Sequence, residues 1–171
     1  AGYVELKKAG LPPLTWVNRV DIDISISKAG RLCKIFNELG IKGTFFVRLH
    51  AKEYNPFSFE NYRVLKSIRD SGHEIGYHSE IMDQAAIWGE DSETCLVRDI
   101  RILEKMLGIQ VLGVASHGGM TGLNRYAPEF ILAGSKLCRD AWAGGDTAAI
   151  GTTKLGPVCQ HRISTKHQTE A

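Results

Sequence analysis

The chain has 171 residues, 43% hydrophobic and 23% charged, with a formal net charge of +2. That is enough for one globular domain with its own core, and the balanced charge gives no case for a nucleic-acid partner or an anionic membrane surface. No apolar run approaches the roughly 18–20 residues that a membrane span needs.

Residues 1–14 hold Gly10 and Pro12-Pro13 and read as a loop. Extended chain is expected over Leu14–Val17 and again over Val20–Ile24, where Val20, Ile22 and Ile24 alternate with Asp21 and Asp23. Strand side chains repeat every second residue, so the two aspartates share a face. Two buried carboxylates on one face repel and lose hydration, and a cation is the usual compensation. The alternative is a solvent-facing polar stripe. Next, Ala29, Leu32, Cys33, Phe36 and Leu39 predict a helix over Lys28–Leu39, closed by Gly40. Gly43–Val47 has the composition of a buried strand. Asn55-Pro56 marks a loop, and Ser58 caps a predicted helix over Phe59–Asp70 with Phe59, Tyr62, Leu65 and Ile68 inward.

Gly72 ends that helix, and His73–His78 reads as the next strand, running into Ser79 and Glu80. His73 opens the strand and points away from the end where His78 lies. Residues 81–89 are a loop or a short helix. A strong helix starts near Asp91 or Ser92, with Leu96, Ile100, Leu103 and Leu107 inward and acidic residues at its N-terminal end, and Gly108 closes it. Ile109–Ala115 is predicted as a strand leading to Ser116 and His117. Helix, glycine, strand thus occurs three times, at spacings of the size of a βα unit. Such alternation predicts a parallel sheet or a (β/α) barrel, and both gather their chemistry at the carboxyl ends of the strands. Three strands deliver Asp21 and Asp23, His78 and Glu80, and Ser116 and His117 to that rim.

After Pro128 the patterning fades. Residues 1–132 are taken as the (β/α) domain and 133–171 as a poorly patterned tail carrying His161 and His167. The four cysteines, Cys33, Cys95, Cys138 and Cys159, form no CxxC pair, which argues against a zinc knuckle. Ser79 and Ser116 lack the G-x-S-x-G context of a nucleophile elbow. Aspartates and histidine gathered at one rim suit a divalent metal with an open position and a nearby carboxylate base, the equipment for amide or ester hydrolysis.

With these residues in place, the chain resembles the polysaccharide deacetylase family. The matching pieces are Asp21-Ile22-Asp23, Gly43-Thr44-Phe45-Phe46-Val47 and Gly72-His73-Glu74-Ile75-Gly76-Tyr77-His78-Ser79, in the family's order, within roughly residues 15–120. The resemblance implies an α/β fold, an irregular or incomplete (β/α) barrel with parallel strands. It implies removal of acetyl groups from an N- or O-acetylated sugar or polysaccharide. The implied cofactor is a divalent metal, usually zinc, held by one aspartate and two histidines, with a second aspartate as base. Carried over, Asp21 stands for the base, Asp23 for the metal aspartate and His78 for the first metal histidine. Ile22 separates aspartates that are adjacent in many members, so the two roles are open to exchange. The family's second metal histidine falls at Met82, whose thioether suits zinc poorly. Glu80 and His117 are the two stand-ins. His117 lies where the family's arginine–proline motif falls, and it is also the candidate for a catalytic acid. Tyr77 and Trp88 are expected as stacking platforms for a sugar. The later family motifs are not recognisable before Ala171, so a truncated or diverged member is expected.

Overall fold

The computed structural model describes residues 16–118, together with the backbone of the strands Phe130–Ile131 and Cys159–Ser164. The loop expected over residues 1–14, most of the expected tail, Cys138 and His167 lie outside the described residues, as does the His161 side chain. In chain order the elements are β1 (Trp16–Ile22), α1 (Ile26–Glu38), β2 (Thr44–Val47), α2 (Phe59–Asp70), β3 (Glu74–Ser79), α3 (Ile81–Trp88), α4 (Ser92–Leu107), β4 (Gly113–Ser116), β5 (Phe130–Ile131) and β6 (Cys159–Ser164).

The sheet order is β5-β4-β3-β2-β1-β6. Strands β1 to β4 lie side by side in chain order and all parallel, with helices between them, as the curled half of an incomplete (β/α) barrel. β5 runs antiparallel on β4. β6 pairs parallel with β1 from Trp16↔Cys159 to Asp21↔Ser164. The segment expected to lack pattern therefore contributes a strand.

Strand alternation sorts the side chains. Val20, Ile22, Phe45, Val47, Ile75, Tyr77 and Val114 belong to the core cluster, with Ala29, Cys33 and Phe36 of α1, Leu65 and Ile68 of α2, and Leu96, Leu103 and Leu107 of α4. Fully burying each large aliphatic chain stabilises the fold by roughly 1.5–3 kcal/mol. The residues in between, Arg19, Asp21, Phe46, Gly76 and His78, belong to the opposite face of the sheet. Close packing there explains one glycine. A Cβ on Gly76 would lie 2.5 Å from Phe46 Cε1 and 2.9 Å from the Gly113 carbonyl oxygen, so no side chain fits.

The helix boundaries follow local chemistry. Ser25 Oγ accepts from the Lys28 N–H, Ser58 Oγ from Asn61 N–H and Asp91 Oδ2 from Thr94 N–H, each a side-chain N-cap. Gly40, Gly72 and Gly108, which punctuate the three repeats, have φ of +64°, +76° and +63°, a backbone region costly for residues with a Cβ. Two expectations are corrected. Phe59, the first residue of α2, is 85% exposed. The last described βα strand begins at Gly113 rather than Ile109. Val111 donates its N–H to Glu104 Oε1 instead of to a ladder, so residues 109–112 remain a connection.

Candidate metal centre

The carboxyl ends of β1, β3 and β4 bring three ligand-bearing side chains together. Asp23 follows β1, His78 lies near the end of β3, and His117 follows β4. One ligand atom from each lies within 4.8 Å of the other two. His78 Nε2 is 3.3 Å from Asp23 Oδ1, and His117 Nε2 is 3.5 Å from the same oxygen. The two imidazoles meet edge to face, 5.1 Å between centroids. His78 and Asp23 are buried and His117 nearly so.

Each side chain is held from behind. His78 Nδ1 faces the Ala115 carbonyl oxygen at 2.9 Å, so Nδ1 carries the proton and Nε2 is left with its lone pair. That Nε2 is buried and has no hydrogen-bond partner. A buried polar atom in this condition calls for a partner, and a divalent cation beside a carboxylate and a second imidazole meets the need. The donor set fits zinc or a similar borderline metal. His117 is placed by its backbone N–H, which donates to the Ser79 carbonyl at 2.9 Å as the β3–β4 ladder closes.

Asp21, two residues before Asp23, presents Oδ2 at 3.8 Å from His78 Nε2. Arg19 grips its carboxylate with two donors, Nε to Oδ1 at 2.8 Å and Nη2 to Oδ2 at 3.3 Å. The Arg19 guanidinium also lies 5.3 Å from the Phe46 ring centroid. Glu80, expected as a possible third ligand, is not among the converging atoms. Its Oε1 lies 3.2 Å from His117 Nδ1 and accepts from Arg48 Nη2 at 2.8 Å. Burial alone would raise the Glu80 carboxyl, but hydrogen bonds from His117 and Arg48 outweigh it and hold it below the usual range. Arg48 also donates Nη1 to the Asp23 carbonyl at 2.9 Å, tying the end of β1 to the end of β2. Tyr54 makes a second tie there: its hydroxyl donates to the Ile22 carbonyl at 2.7 Å and accepts from the Arg48 N–H at 3.1 Å.

The two expected sugar platforms fare differently. Tyr77 is fully buried and donates its hydroxyl to Asp99 Oδ2 at 2.6 Å, so it has no face for a sugar. Strand alternation explains the correction, because a neighbour of His78 must point to the helix side. Trp88 is 50% exposed, edge-on to His50 at 5.2 Å and under the Arg98 guanidinium at 5.5 Å. His73, read as pointing away from the rim, accepts from the Gly43 N–H at 3.3 Å and packs on Phe45. Met82, at the position of the family's second histidine, packs against the core. Arg19 and Arg48 were not identified from the sequence. The signal was present, since alternation puts Arg19 on the face of Asp21 and Asp23, and Arg48 on that of Thr44 and Phe46.

No protein-family model matches the sequence, and no curated protein matches it. Solved structures of the CE4, or polysaccharide deacetylase, family are among those similar to it. A CE4 family pseudoenzyme from Bacillus anthracis is 20% identical, with a TM-score of 0.46 over 68% of this chain and 41% of that one. A mutant CE4 family pseudoenzyme with restored enzymatic activity is 21% identical, with a TM-score of 0.46 over 67% and 41%. The chitin deacetylase from the fungal pathogen Colletotrichum lindemuthianum is 20% identical, with a TM-score of 0.37 over 53% and 38%. The chain thus spans about two fifths of the length of the structures it matches.

Proposed function

We propose that the chain is a metal-dependent hydrolase that removes acetyl groups from an N- or O-acetylated carbohydrate. The observation that carries this reading is the convergence of Asp23, His78 and His117 within 4.8 Å, with the Asp21 carboxylate beside them. The carbohydrate substrate rests on the motif resemblance of Asp21-Ile22-Asp23 and Gly72–Ser79. In this reading Asp23, His78 and His117 hold the cation, zinc by preference. Bound there, it supplies Lewis acidity that acidifies water and polarises an acyl carbonyl. Asp21 takes a proton at Oδ2, and Arg19 fixes the direction in which that oxygen points. Of the two aspartates, Asp21 is the base because Asp23 Oδ1 is the oxygen near both imidazoles. The exposed Trp88 remains the candidate for stacking on a sugar ring.

Zinc reconstitution followed by elemental analysis, together with acetate release from N-acetylated glycans, tests the reading. About one zinc per chain is expected, lost in Asp23→Ala and His78→Ala. Asp21→Asn keeps the metal and loses about 10²–10⁴-fold in rate, the usual contribution of a general base. An unmutated protein that takes up no zinc overturns the proposal. A second reading, a metal- or sugar-binding domain without turnover, is favoured by Met82 in place of the family's histidine. Zinc uptake without acetate release from any glycan selects it, and Met82→His is then the change to test for restored activity.

A further inference from the structure

We propose that Glu80 is a positioning residue that locks His117 in the tautomer with its proton on Nδ1, keeping Nε2 turned toward Asp23 and His78. The inference rests on the metal-centre reading above and takes His117, not Glu80, as third ligand. Glu80 precedes α3 and occupies its N-cap position, yet its side chain makes no capping hydrogen bond. Glutamate is a poor N-cap to begin with. The carboxylate instead turns to His117 Nδ1 at 3.2 Å and Arg48 Nη2 at 2.8 Å. Arg48 is itself tied to the Asp23 carbonyl and to Glu53 Oε2 at 3.2 Å, so the clamp has a fixed anchor.

The charge balance favours this arrangement. Arg48, shared between the Glu80 and Glu53 carboxylates, offsets part of the charge that Glu80 brings beside the ligand set. A proton held on Nδ1 leaves the Nε2 lone pair on the side of Asp23, 3.5 Å from Oδ1. His78 is fixed in the same sense, through the Ala115 carbonyl. Both imidazoles therefore present Nε2, each fixed by an acceptor on its other nitrogen, an arrangement that raises ligand basicity and orients the ring. Glu80 Oε2 is buried without a hydrogen-bond partner, and direct ligation through that oxygen is the competing role.

Glutamine distinguishes the two. In Glu80→Gln the amide oxygen still accepts from His117 and Arg48, but the carboxylate is gone. Long-range 1H–15N NMR of the metal-free protein reads the His117 tautomer directly. The expected result is an Nδ1–H tautomer in the unmutated chain and in Glu80→Gln, with Glu80→Ala and Arg48→Met shifted toward Nε2–H. Zinc affinity, measured by chelator competition, should fall about 10–100-fold in Glu80→Ala and about 3-fold or less in Glu80→Gln. An unmutated protein that carries the Nε2–H tautomer, or the same tautomer in all four proteins, overturns the inference. Equal loss of zinc in the glutamine and alanine variants overturns it as well, in favour of direct ligation. Should the Nδ1–H tautomer depend on Glu80 while no variant binds zinc, the positioning stands and the metal reading falls. If Glu80→Ala does not fold, Glu80→Gln and Arg48→Met carry the comparison.

Discussion

Asp99 gives the sharpest test of how the domain is held together. It lies on the inner face of α4, fully buried, and its Oδ2 accepts from Tyr77 at 2.6 Å, Gln84 at 2.8 Å and His50 at 2.9 Å. Arg98 donates Nε to the other oxygen at 3.1 Å. In Asp99→Ala the four donors are not equally affected. The His50 and Arg98 side chains are 32% and 36% exposed and can turn to water. Tyr77 and Gln84 are buried, and each buried donor without an acceptor costs about 1–3 kcal/mol. The two can still bond each other at 3.2 Å, and the cost of burying the carboxylate disappears. A net loss of about 3 kcal/mol follows, near the lower end for breaking a buried ionic network. At a urea slope of about 2 kcal/mol/M the midpoint falls by roughly 1.5 M, readable by far-UV circular dichroism. Tyr77→Phe alone should cost about 1–2 kcal/mol, and the double mutant should show a coupling of at least about 1 kcal/mol. His50→Ala should cost under about 1 kcal/mol, as half-exposed ionic contacts do. If Asp99→Ala costs less than His50→Ala, the buried hydroxyl and amide are not what the carboxylate serves, and the reasoning fails.

Asp99 is held below its ordinary value of 3.8 because, although burial raises it, the hydrogen bonds from His50, Tyr77 and Gln84 prevail. A depressed carboxyl stabilises the fold above its unfolded pKa and loses that contribution as pH falls through the folded one. Urea midpoints should therefore drop below about pH 4, and Asp99→Ala should flatten that acid limb. In Gly76→Ala the new Cβ meets Phe46 and the Gly113 backbone, so a loss of about 1–3 kcal/mol is expected. Phe46→Ala should recover little of it, because the carbonyl cannot move aside; full recovery in the double mutant would contradict this. The Cys95 thiol is pushed up to about 11, by burial first and then by the Glu90 carboxylate. Site-resolved mass spectrometry should find it unmodified by iodoacetamide at pH 8 in the folded protein and modified in urea.

The βα rhythm was legible because its punctuation is local. Gly40, Gly72 and Gly108 end helices by backbone geometry, and Ser58 caps α2 by a hydrogen bond three residues away, all readable in a short window. The pairing of Asp21 with Asp23 was legible for the same reason, since a strand repeats every two residues. What stayed hidden depends on distant chain. His117 was already one of two stand-ins for the missing metal histidine; the choice between it and Glu80, and Glu80 as the partner of His117, follow from how β1, β3 and β4 align. Tyr77 was offered as a stacking platform although its neighbour His78 already put it on the other face of β3. Asp99 was overlooked although it falls between Leu96 and Leu103 on the inner stripe of α4, where a carboxylate needs buried donors. Phe59 was placed inward from periodicity alone, which does not distinguish a helix's first residue from those deeper in the stripe.

The distribution of the candidate ligands along the chain also bears on how the domain folds. Asp23 and His117 stand near opposite ends of the continuous described segment, and β1, β2, β3 and β4 side by side bring them together. Contacts of such sequence separation form late, because the entropy of closing the intervening loops must be overcome before they contribute. A cation shared by the two ends would act as a clasp on the finished arrangement and not as a nucleus. It would therefore slow unfolding more than it speeds folding. A cation held there would thus have a kinetic role separate from any chemistry performed at the site.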